Sequence, residues 1–570
     1  MHDIVIRGGL IVDGSGAAPV AGDIAIDGER IASVGGKAGP GREEIAADGR
    51  IVTPGWVDIH SHYDGQATWD PFVSPSGAHG VTTTVMGNCG VGFAPVRPDK
   101  HDWLINLMQG VEDIPGTALS EGMTWGWESF PEYLDTLEAM PRALDIAAQA
   151  PHSAIRAYVM GERDSIRGVA TADDLEQMAR IVEDAVRAGA LGFSTSRTKL
   201  HLAADGSPVP GSFVEAEELL GLAQAVARGG GGVFQMVSDF TAPSAEFAWM
   251  RRIAEVTDLP VVFTMVQYEE TPDQWRELLA LTDAAVADGA QIIPQVANRP
   301  VGMLINLDSK THPFSEHPSF EALRDLPLAQ KVRRMRDPGY RARLLAEETT
   351  STNRFWRPRM AQFHNMFRLG DPPDYEPAPE TSVAAQAERQ GWSPLSVVYD
   401  LLLERDGGEW LFFPFINYAD RSLEPQLAMM NHPHSLVGLA DGGAHCGLIC
   451  DASAQTFMLT HWVKERTRGD RLALEKAVWM QTGRTAEVYG LGDRGRLAEG
   501  LKADVNIIDL DRLRLKPPYW AEDLPAAGRR LLQDAEGYDA TILSGQVTCR
   551  GGETTGALPG RLIRGRRNAL

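Results

Sequence analysis

Two histidines separated by one residue are the first feature of this sequence that could perform chemistry. His60 and His62 end a run of mainly apolar residues that begins after Gly55. On an extended backbone, residues two apart point to the same face, so both imidazoles can reach one ion. Histidine is the commonest metal ligand in proteins. The spacing therefore predicts a metal site at the carboxyl end of a β-strand.

Polar residues at the ends of two further predicted strands extend this site. Cys89 lies between Gly87 and Gly90, where a thiolate is a good zinc ligand and a buried, inert cysteine is the alternative. Asp441 follows the last apolar run and can bind a metal or take a proton from activated water. We predict that His445, four residues later, polarises the substrate or hydrogen-bonds the rim of the site.

Alternating strand-like and helical patterns predict how these residues are positioned. Strand–helix alternation implies a parallel sheet with right-handed crossovers. Eight strands favour a TIM-like (β/α)8 barrel, whose active site forms at the carboxyl ends of the strands, and a doubly wound open sheet is the alternative. The eight predicted strands are residues 55–60, 81–86, 155–160, 191–195, 232–237, 261–266, 291–296 and 436–441.

The two ends of the chain predict a second, smaller domain. Residues 1–53 and 485–570 contain β-branched segments with Asp-Gly or similar turns, and we predict that they form one composite β-sandwich-like domain. The barrel then spans residues 54–484. Long segments at about 97–150 and 303–410 interrupt its pattern. Lids, oligomer contacts and helices packed outside the barrel are the alternatives for these segments.

Composition narrows the classes of partner. The chain has 570 residues, of which 43% are hydrophobic and 23% charged, and this suits a globular protein with more than one domain. A net charge of −23 disfavours nucleic acid and anionic membranes. No apolar run approaches the roughly 20 residues that span a bilayer. A small-molecule substrate stays open, because a pocket can differ in charge from the surface average. Four scattered cysteines and the absence of a signal-peptide pattern predict a reduced, cytoplasmic protein.

Four stretches together carry a specific set of motifs. They are Thr53-Pro-Gly-Trp-Val-Asp-Ile-His-Ser-His62, Gly80-Val-Thr-Thr-Thr-Val-Met-Gly-Asn-Cys-Gly90, Gly189-Ala-Leu-Gly-Phe-Ser-Thr-Ser196 and Asp441-Gly-Gly-Ala-His445. This set resembles the amidohydrolase superfamily and, within it, the D-aminoacylase-like (N-acyl-D-amino-acid deacylase) group. The resemblance covers nearly the whole chain and implies a metal-dependent barrel hydrolase. It implies that His60, His62 and Cys89 are metal ligands and that Asp441 is the catalytic base.

The chain departs from that group at three positions. The resemblance implies histidine ligands at the ends of strands five and six and a carboxylate-binding lysine two residues after the second histidine. The chain has Gln235, Met265 and Gln267 there. A neutral amide is a poor zinc ligand and a thioether is a soft one. We therefore predict a single zinc ion, held by the two histidines of the first strand, Asp441 and, as an optional ligand, Cys89.

Further polar residues near the strand ends are candidates for binding the substrate. An arginine can bind a carboxylate through two parallel hydrogen bonds, and bracing a loop is the alternative role. The candidates are Arg197, His201, Gln235, Gln267, Asn298 and Arg299.

The combined prediction is a hydrolase of a C–N amide bond that uses metal-activated water and Asp441 as the base. One alternative is a cyclic amide or urea hydrolase of the dihydropyrimidinase kind, which the missing lysine favours. Another is a metal-free binding or scaffold protein, which Gln235 and Met265 favour. The size of the chain and its two long interrupting segments are compatible with a homo-oligomer.

Overall fold

Short parallel strands, most of whose residues are buried, position the predicted metal ligands. Valine, isoleucine, threonine and phenylalanine are frequent in them, as expected for strands covered on both faces. In the computed structural model, which describes residues 1–161, 163, 167–353 and 356–565, these strands are β1 (Trp56–Asp58), β2 (Val81–Met86), β3 (Asp145–Ala148), β4 (Ala150–Pro151), β5 (Gly192–Arg197), β6 (Val233–Ser238), β7 (Val261–Met265), β8 (Ile292–Val296) and β9 (Leu436–Val437).

The parallel strands form two hydrogen-bonded sheets. One has the order β1-β2-β3 and the other has the order β9-β8-β7-β6-β5-β4. Only Gln149 separates β3 from β4 along the chain. Beyond the ends of β1 and β9, Ser61 pairs in parallel with Gly442, and the His62 N–H donates to the Gly442 carbonyl at 2.7 Å. The segments that follow β1 and β9 are therefore hydrogen-bonded to each other.

The second of the two described helices between β4 and β5 illustrates how local sequence determines where an element begins and ends. Thr171 and Asp174 form a capping box at the start of the helix Ala172–Ala188, since each side chain accepts a hydrogen bond from the backbone N–H of the other. Gly189 follows the last helical residue with φ at 122°, a conformation that favours glycine. The chain then turns directly into β5.

Seven of the eight predicted strands overlap observed strands, and the prediction for residues 155–160 is wrong. Those residues belong to the helix His152–Met160. The parallel strands that lie between β2 and β5 along the chain are β3 and β4. A short apolar run does not distinguish a buried strand from a buried helical face. β3 and the first residue of β4, Ala150, lie within the segment of about residues 97–150 that was predicted as an insertion.

Strands from both ends of the chain form one nine-stranded, mainly antiparallel sheet. Pairing of Ile51–Pro54 with Val505–Ile508 joins the two ends. Ile6, Ile24 and Ile507 belong to a separate apolar cluster in this region. The members of the sheet are His2–Ile11, Val20–Asp27, Arg30–Val34, Gly41–Ala46, Ile51–Pro54, Val505–Ile508, Tyr538–Leu543, Gln546–Arg550 and Glu553–Thr554.

The remaining short strands form three antiparallel groups. Val301–Ile305, Leu411–Ile416 and Phe367–Arg368 form one sheet. The other two groups are the pairs Arg514–Leu515 with Ala535–Glu536 and Tyr519–Leu524 with Gly528–Leu532.

Helices pack against the parallel strands, and residues 303–413 carry an apolar core of their own, which includes Phe314, Tyr399 and Phe413. Across the described ranges, no helix is both long and apolar enough to cross a membrane. The α-helices are His101–Val111, Gly116–Gly122, Phe130–Glu138, His152–Met160, Ala172–Ala188, Ala216–Gly229, Pro243–Thr257, Gln274–Ala287, Pro318–Glu321, Leu328–Met335, Pro338–Ala346, Trp356–Arg359, Val383–Gln390, Pro394–Leu403, Glu424–Asn431, Ala454–Phe457, Leu474–Gln481 and Gly483–Val488.

Candidate metal centre

His60, His62 and Cys89 meet beyond the carboxyl ends of β1 and β2. All three residues are buried, and their ligand atoms lie within 4.8 Å of one another. The Cys89 Sγ lies 3.3 Å from His60 Nε2. Within the described residues, this is the one group of three or more His, Cys, Asp or Glu side chains close enough together to hold a metal ion.

The turn after β2 presents Cys89 in an uncommon backbone conformation. Cys89 has φ at 55°, which costs a non-glycine residue on the order of 1 kcal/mol. Its backbone N–H donates to Gln235 Oε1 at 2.9 Å, and this bond from β6 holds the strained peptide. A Cβ at Gly90 would approach the Thr195 backbone to 2.8 Å, so the turn requires glycine there.

Asp441 connects the two histidines with His445. Its Oδ1 lies 3.4 Å from His60 Nε2 and 3.7 Å from His62 Nε2. Its Oδ2 lies 3.7 Å from His445 Nε2. One carboxylate on the loop after β9 therefore faces both predicted ligand histidines and the residue predicted to contact the substrate.

Burial and neighbouring charges shift the pKa values of these groups in opposite directions. Burial lowers the pKa of His60 to about 4. Burial acts the same way on His62, but the nearby carboxylates of Glu112 and Asp441 outweigh it and raise the pKa of His62 well above its ordinary value. Burial opposes ionisation of Asp441 too, yet the neighbouring imidazoles of His445 and His62 hold the pKa of that carboxyl well below its usual range. The site therefore favours an ionised Asp441.

A buried glutamate lies behind His62 and is not among the site residues predicted from the sequence. Glu112 follows the helix His101–Val111 and is 2% exposed. Its Oε1 lies 3.3 Å from His62 Nδ1, and its Oε2 lies 4.0 Å from His445 Nε2. The surrounding sequence, Gln-Gly-Val-Glu-Asp, is typical of any polar helix end. No local signal distinguishes Glu112, because only tertiary contacts bring it to the site.

His201 and Gln235, two of the predicted substrate-binding residues, lie beside the centre. Burial first, and then the charges of His62 and His445, lower the pKa of His201 to about 3. Gln235 is fully buried and accepts the hydrogen bond from the Cys89 peptide. In the described part of the chain, the side-chain nitrogen of Gln235 has no hydrogen-bond partner.

The two predicted substrate-binding arginines are paired with carboxylates of the protein. Arg197 Nε lies 3.0 Å from Glu246 Oε2, and the guanidinium lies over the ring of Trp249. Arg299 Nη2 lies 2.5 Å from Asp451 Oδ1, and both side chains are 3% exposed. These contacts brace the fold, and a role of either arginine in substrate binding stays a prediction.

The other two predicted amide side chains, those of Gln267 and Asn298, are held by backbone groups. Gln267 Oε1 accepts from the Ala419 N–H at 3.2 Å, and its Nε2 donates to the Pro272 carbonyl at 3.1 Å. Asn298 Nδ2 donates to the Ala454 carbonyl at 2.7 Å. In the described part of the chain, no hydrogen bond or ion pair joins either side chain to His60, His62 or Cys89, and their roles in substrate binding stay predictions.

The donor set fits a zinc ion. Imidazole nitrogen, thiolate and carboxylate oxygen are the ligands that zinc takes in proteins. Across the described residues, Asp441 Oδ1 is buried without a hydrogen-bond partner, although it faces two imidazoles. A cation between these groups would satisfy that oxygen. Burial raises the pKa of the Cys89 thiol to about 11, so this residue must lose its proton to become a ligand.

Several known proteins are similar to this chain in sequence and in fold. The sequence model of the Amidohydrolase family matches residues 43–549. An N-acyl-D-glutamate deacylase from Alcaligenes xylosoxydans xylosoxydans is 27% identical over 546 residues, which cover 92% of this chain and 91% of the relative.

Two solved structures have a similar fold. A D-aminoacylase structure has a TM-score of 0.65 and 23% identity, with 99% of this chain and 100% of that chain covered. The N-acyl-D-glutamate deacylase from Bordetella bronchiseptica, in complex with zinc and a phosphonate inhibitor, has a TM-score of 0.64 and 22% identity, with 99% of each chain covered.

Proposed function

The chain belongs to the amidohydrolase family, and on that basis we propose that it is a metal-dependent N-acyl-D-amino-acid deacylase that hydrolyses a C–N amide bond. One observation carries the proposal: His60, His62 and Cys89 form one buried group at the carboxyl ends of parallel strands, and Asp441 Oδ1 lies 3.4 and 3.7 Å from the two imidazoles. The similarity to N-acyl-D-glutamate deacylase over most of both chains supports the substrate class.

The residues of the site divide the work of the reaction. A bound zinc ion would supply the positive charge that acidifies water and polarises a carbonyl group. The ionised Asp441 takes the proton of the attacking water and returns it to the leaving nitrogen. His445 lies 3.7 Å from Asp441, and we assign its imidazole to the substrate carbonyl oxygen, where it donates a hydrogen bond as negative charge develops.

We propose a single zinc ion with His60, His62 and Asp441 as its ligands and Cys89 as an optional further ligand. The side chains in β6 and β7 that would supply histidines for a second ion are an amide and a thioether. Gln235, the residue in β6, is already bound to the Cys89 peptide. Both features support one ion in place of two.

We further propose that the two parallel sheets are parts of one closed (β/α)8 barrel within residues 54–484. Its support is the continuity of β3 with β4 and the bonds between the segments after β1 and β9. The nine-stranded sheet supports a composite domain from residues 1–53 and 485–570. The segment at about 303–410 stays a proposed insertion, and so does the segment at about 97–150 apart from β3 and Ala150, which belong to the parallel sheets. A cytoplasmic location and a homo-oligomer also stay proposals.

Hydrolysis of a cyclic amide or urea is the second candidate function. Gln267 favours it, because this neutral residue stands where the resemblance implies a lysine that binds the substrate carboxylate. A substrate without a free carboxylate would not need that lysine.

Metal content followed by a substrate panel tests these proposals. We expect about one zinc per chain in protein purified without added metal, and loss of that zinc in the His60→Ala/His62→Ala double variant. The panel compares N-acyl-D-amino acids, their L-enantiomers and cyclic imides. Preference for the cyclic imides would replace the main proposal with the second candidate. Absence of metal from the native protein, even after zinc is supplied, would refute catalysis and favour a binding protein.

A further inference from the structure

The two histidines of the centre have different groups behind them. Both direct Nε2 toward Asp441, at 3.4 Å from His60 and 3.7 Å from His62. His60 Nδ1 lies 3.0 Å from Gln295 Oε1, a neutral amide oxygen. His62 Nδ1 lies 3.3 Å from Glu112 Oε1, a carboxylate oxygen. The group behind a ligand histidine sets its tautomer, its ring orientation and its strength as a donor.

Glu112 is held in place through backbone contacts. Its own N–H donates to the last turn of the helix His101–Val111. The His445 N–H donates to the Glu112 carbonyl at 2.5 Å, and the Gly447 N–H donates to Asp113 Oδ2 at 2.8 Å. These bonds tie the end of the helix to the loop after β9. The carboxylate therefore keeps its position relative to the imidazoles of the site.

The described ion-pair partners of the Glu112 carboxylate both belong to the site. In the described part of the chain, its ion-pair partners are His62 and His445, with no lysine or arginine among them. A buried carboxylate without a partner costs several kcal/mol. Among the described residues, the two imidazoles are the charged partners that can offset that cost.

We propose that Glu112 is a positioning residue of the metal centre. By accepting the Nδ1 hydrogen, its carboxylate keeps His62 in the tautomer whose Nε2 lone pair is free to bind a metal. His62 Nδ1 has no hydrogen-bond partner within the described ranges, and Glu112 is the carboxylate placed to supply one. Its second oxygen lies 4.0 Å from His445 Nε2, where its negative charge favours the position of that imidazole beside Asp441. The inference rests on the proposed function, because it requires a metal at His62.

Zinc affinity tests this role without reference to activity. The metal-free native protein is compared with Glu112→Ala, Glu112→Gln and the matched control Asp113→Asn, by competition with a chromophoric chelator. Asp113 lies in the same turn but directs its carboxylate to Gly447. Absorption of the Co(II) forms reports the ligand geometry, and circular dichroism reports folding.

We expect Glu112→Ala to weaken zinc binding by ~10–100-fold, as is typical when the partner of a ligand histidine is removed. Glu112→Gln keeps an acceptor oxygen and should recover part of that loss. Asp113→Asn should stay within about threefold of the native affinity, since it leaves the His62 partner intact. If Glu112→Ala does not fold, the Gln variant decides, and a measurable loss of affinity supports the proposal.

Unchanged zinc affinity in the folded Glu112 variants would overturn the inference. An equal loss in Asp113→Asn would also overturn it, because the effect would then be a general loosening of the helix end. The failures are distinguishable. If native protein binds zinc through the two histidines and the Glu112 variants bind it equally well, only this inference fails. If native protein binds no zinc, the proposed function fails as well.

Discussion

Replacement of Arg299 separates a structural role from a role in substrate binding. The guanidinium is 3% exposed, and its Nε and Nη2 donate to Asp451 Oδ1 at 3.1 and 2.5 Å. Its Nη1 donates to Ser453 Oγ at 2.9 Å, and its Cζ lies 4.5 Å from the ring centroid of Tyr375. Arg299→Met removes this charge but keeps most of the side-chain volume. The Asp451 carboxylate is then buried without its cationic partner.

The expected magnitude follows from that loss of charge compensation. Removal of one partner of a buried ion pair typically costs ~3–5 kcal/mol, whereas replacement of both partners by apolar residues is often nearly neutral. We therefore expect Arg299→Met to lower the free energy of unfolding by ~4 kcal/mol. The double variant Arg299→Met/Asp451→Leu should regain most of that loss.

Urea unfolding of the native protein, the two single variants and the double variant gives the coupling energy between the residues. Steady-state hydrolysis by the folded Arg299→Met variant gives the effect of that substitution on kcat and KM. A stability loss below ~1 kcal/mol, combined with a raised KM, would refute the reasoning, because that is the result expected of an arginine that binds substrate.

Three further outcomes test the site and the fold. Asp441→Asn should lower turnover by ~10²–10⁴-fold with unchanged circular dichroism, and near-native turnover would contradict its role as the base. Zinc at 100 times its dissociation constant should raise the free energy of unfolding by ~2.7 kcal/mol, and the histidine double variant should show no such gain. Although burial acts in the opposite direction, bonds from His461 and Arg466 lower the pKa of Glu376 to about 2. Its contribution of at most ~3 kcal/mol is fully present above the unfolded-state pKa of about 4.3 and is lost as the pH falls toward 2. Glu376→Gln should weaken the dependence of the free energy of unfolding on pH over that range. An unchanged slope of that free energy against pH would contradict the linkage.

The family and most parallel strands could be predicted from the sequence, because both depend on local pattern. The match to residues 43–549 and the similarity to D-aminoacylase confirm the resemblance drawn from four motifs. Residues two apart on a strand share a face, so the spacing of His60 and His62 already implied that both imidazoles reach one point. Gly90 likewise marked a turn that only glycine permits, beside the cysteine at the site.

Only the tertiary structure decided which polar groups act on the site and which support the fold. Glu112 reaches His62 from the end of a helix fifty residues further along the chain, and its local sequence resembles a solvent-exposed helix end. Arg299 looks like a carboxylate receptor in sequence, but its partner is Asp451, 152 residues away. Residues 155–160 have the apolar run of a strand and form a helix. Spacing determines which face a side chain takes, whereas burial and pairing depend on segments that meet only when the chain folds.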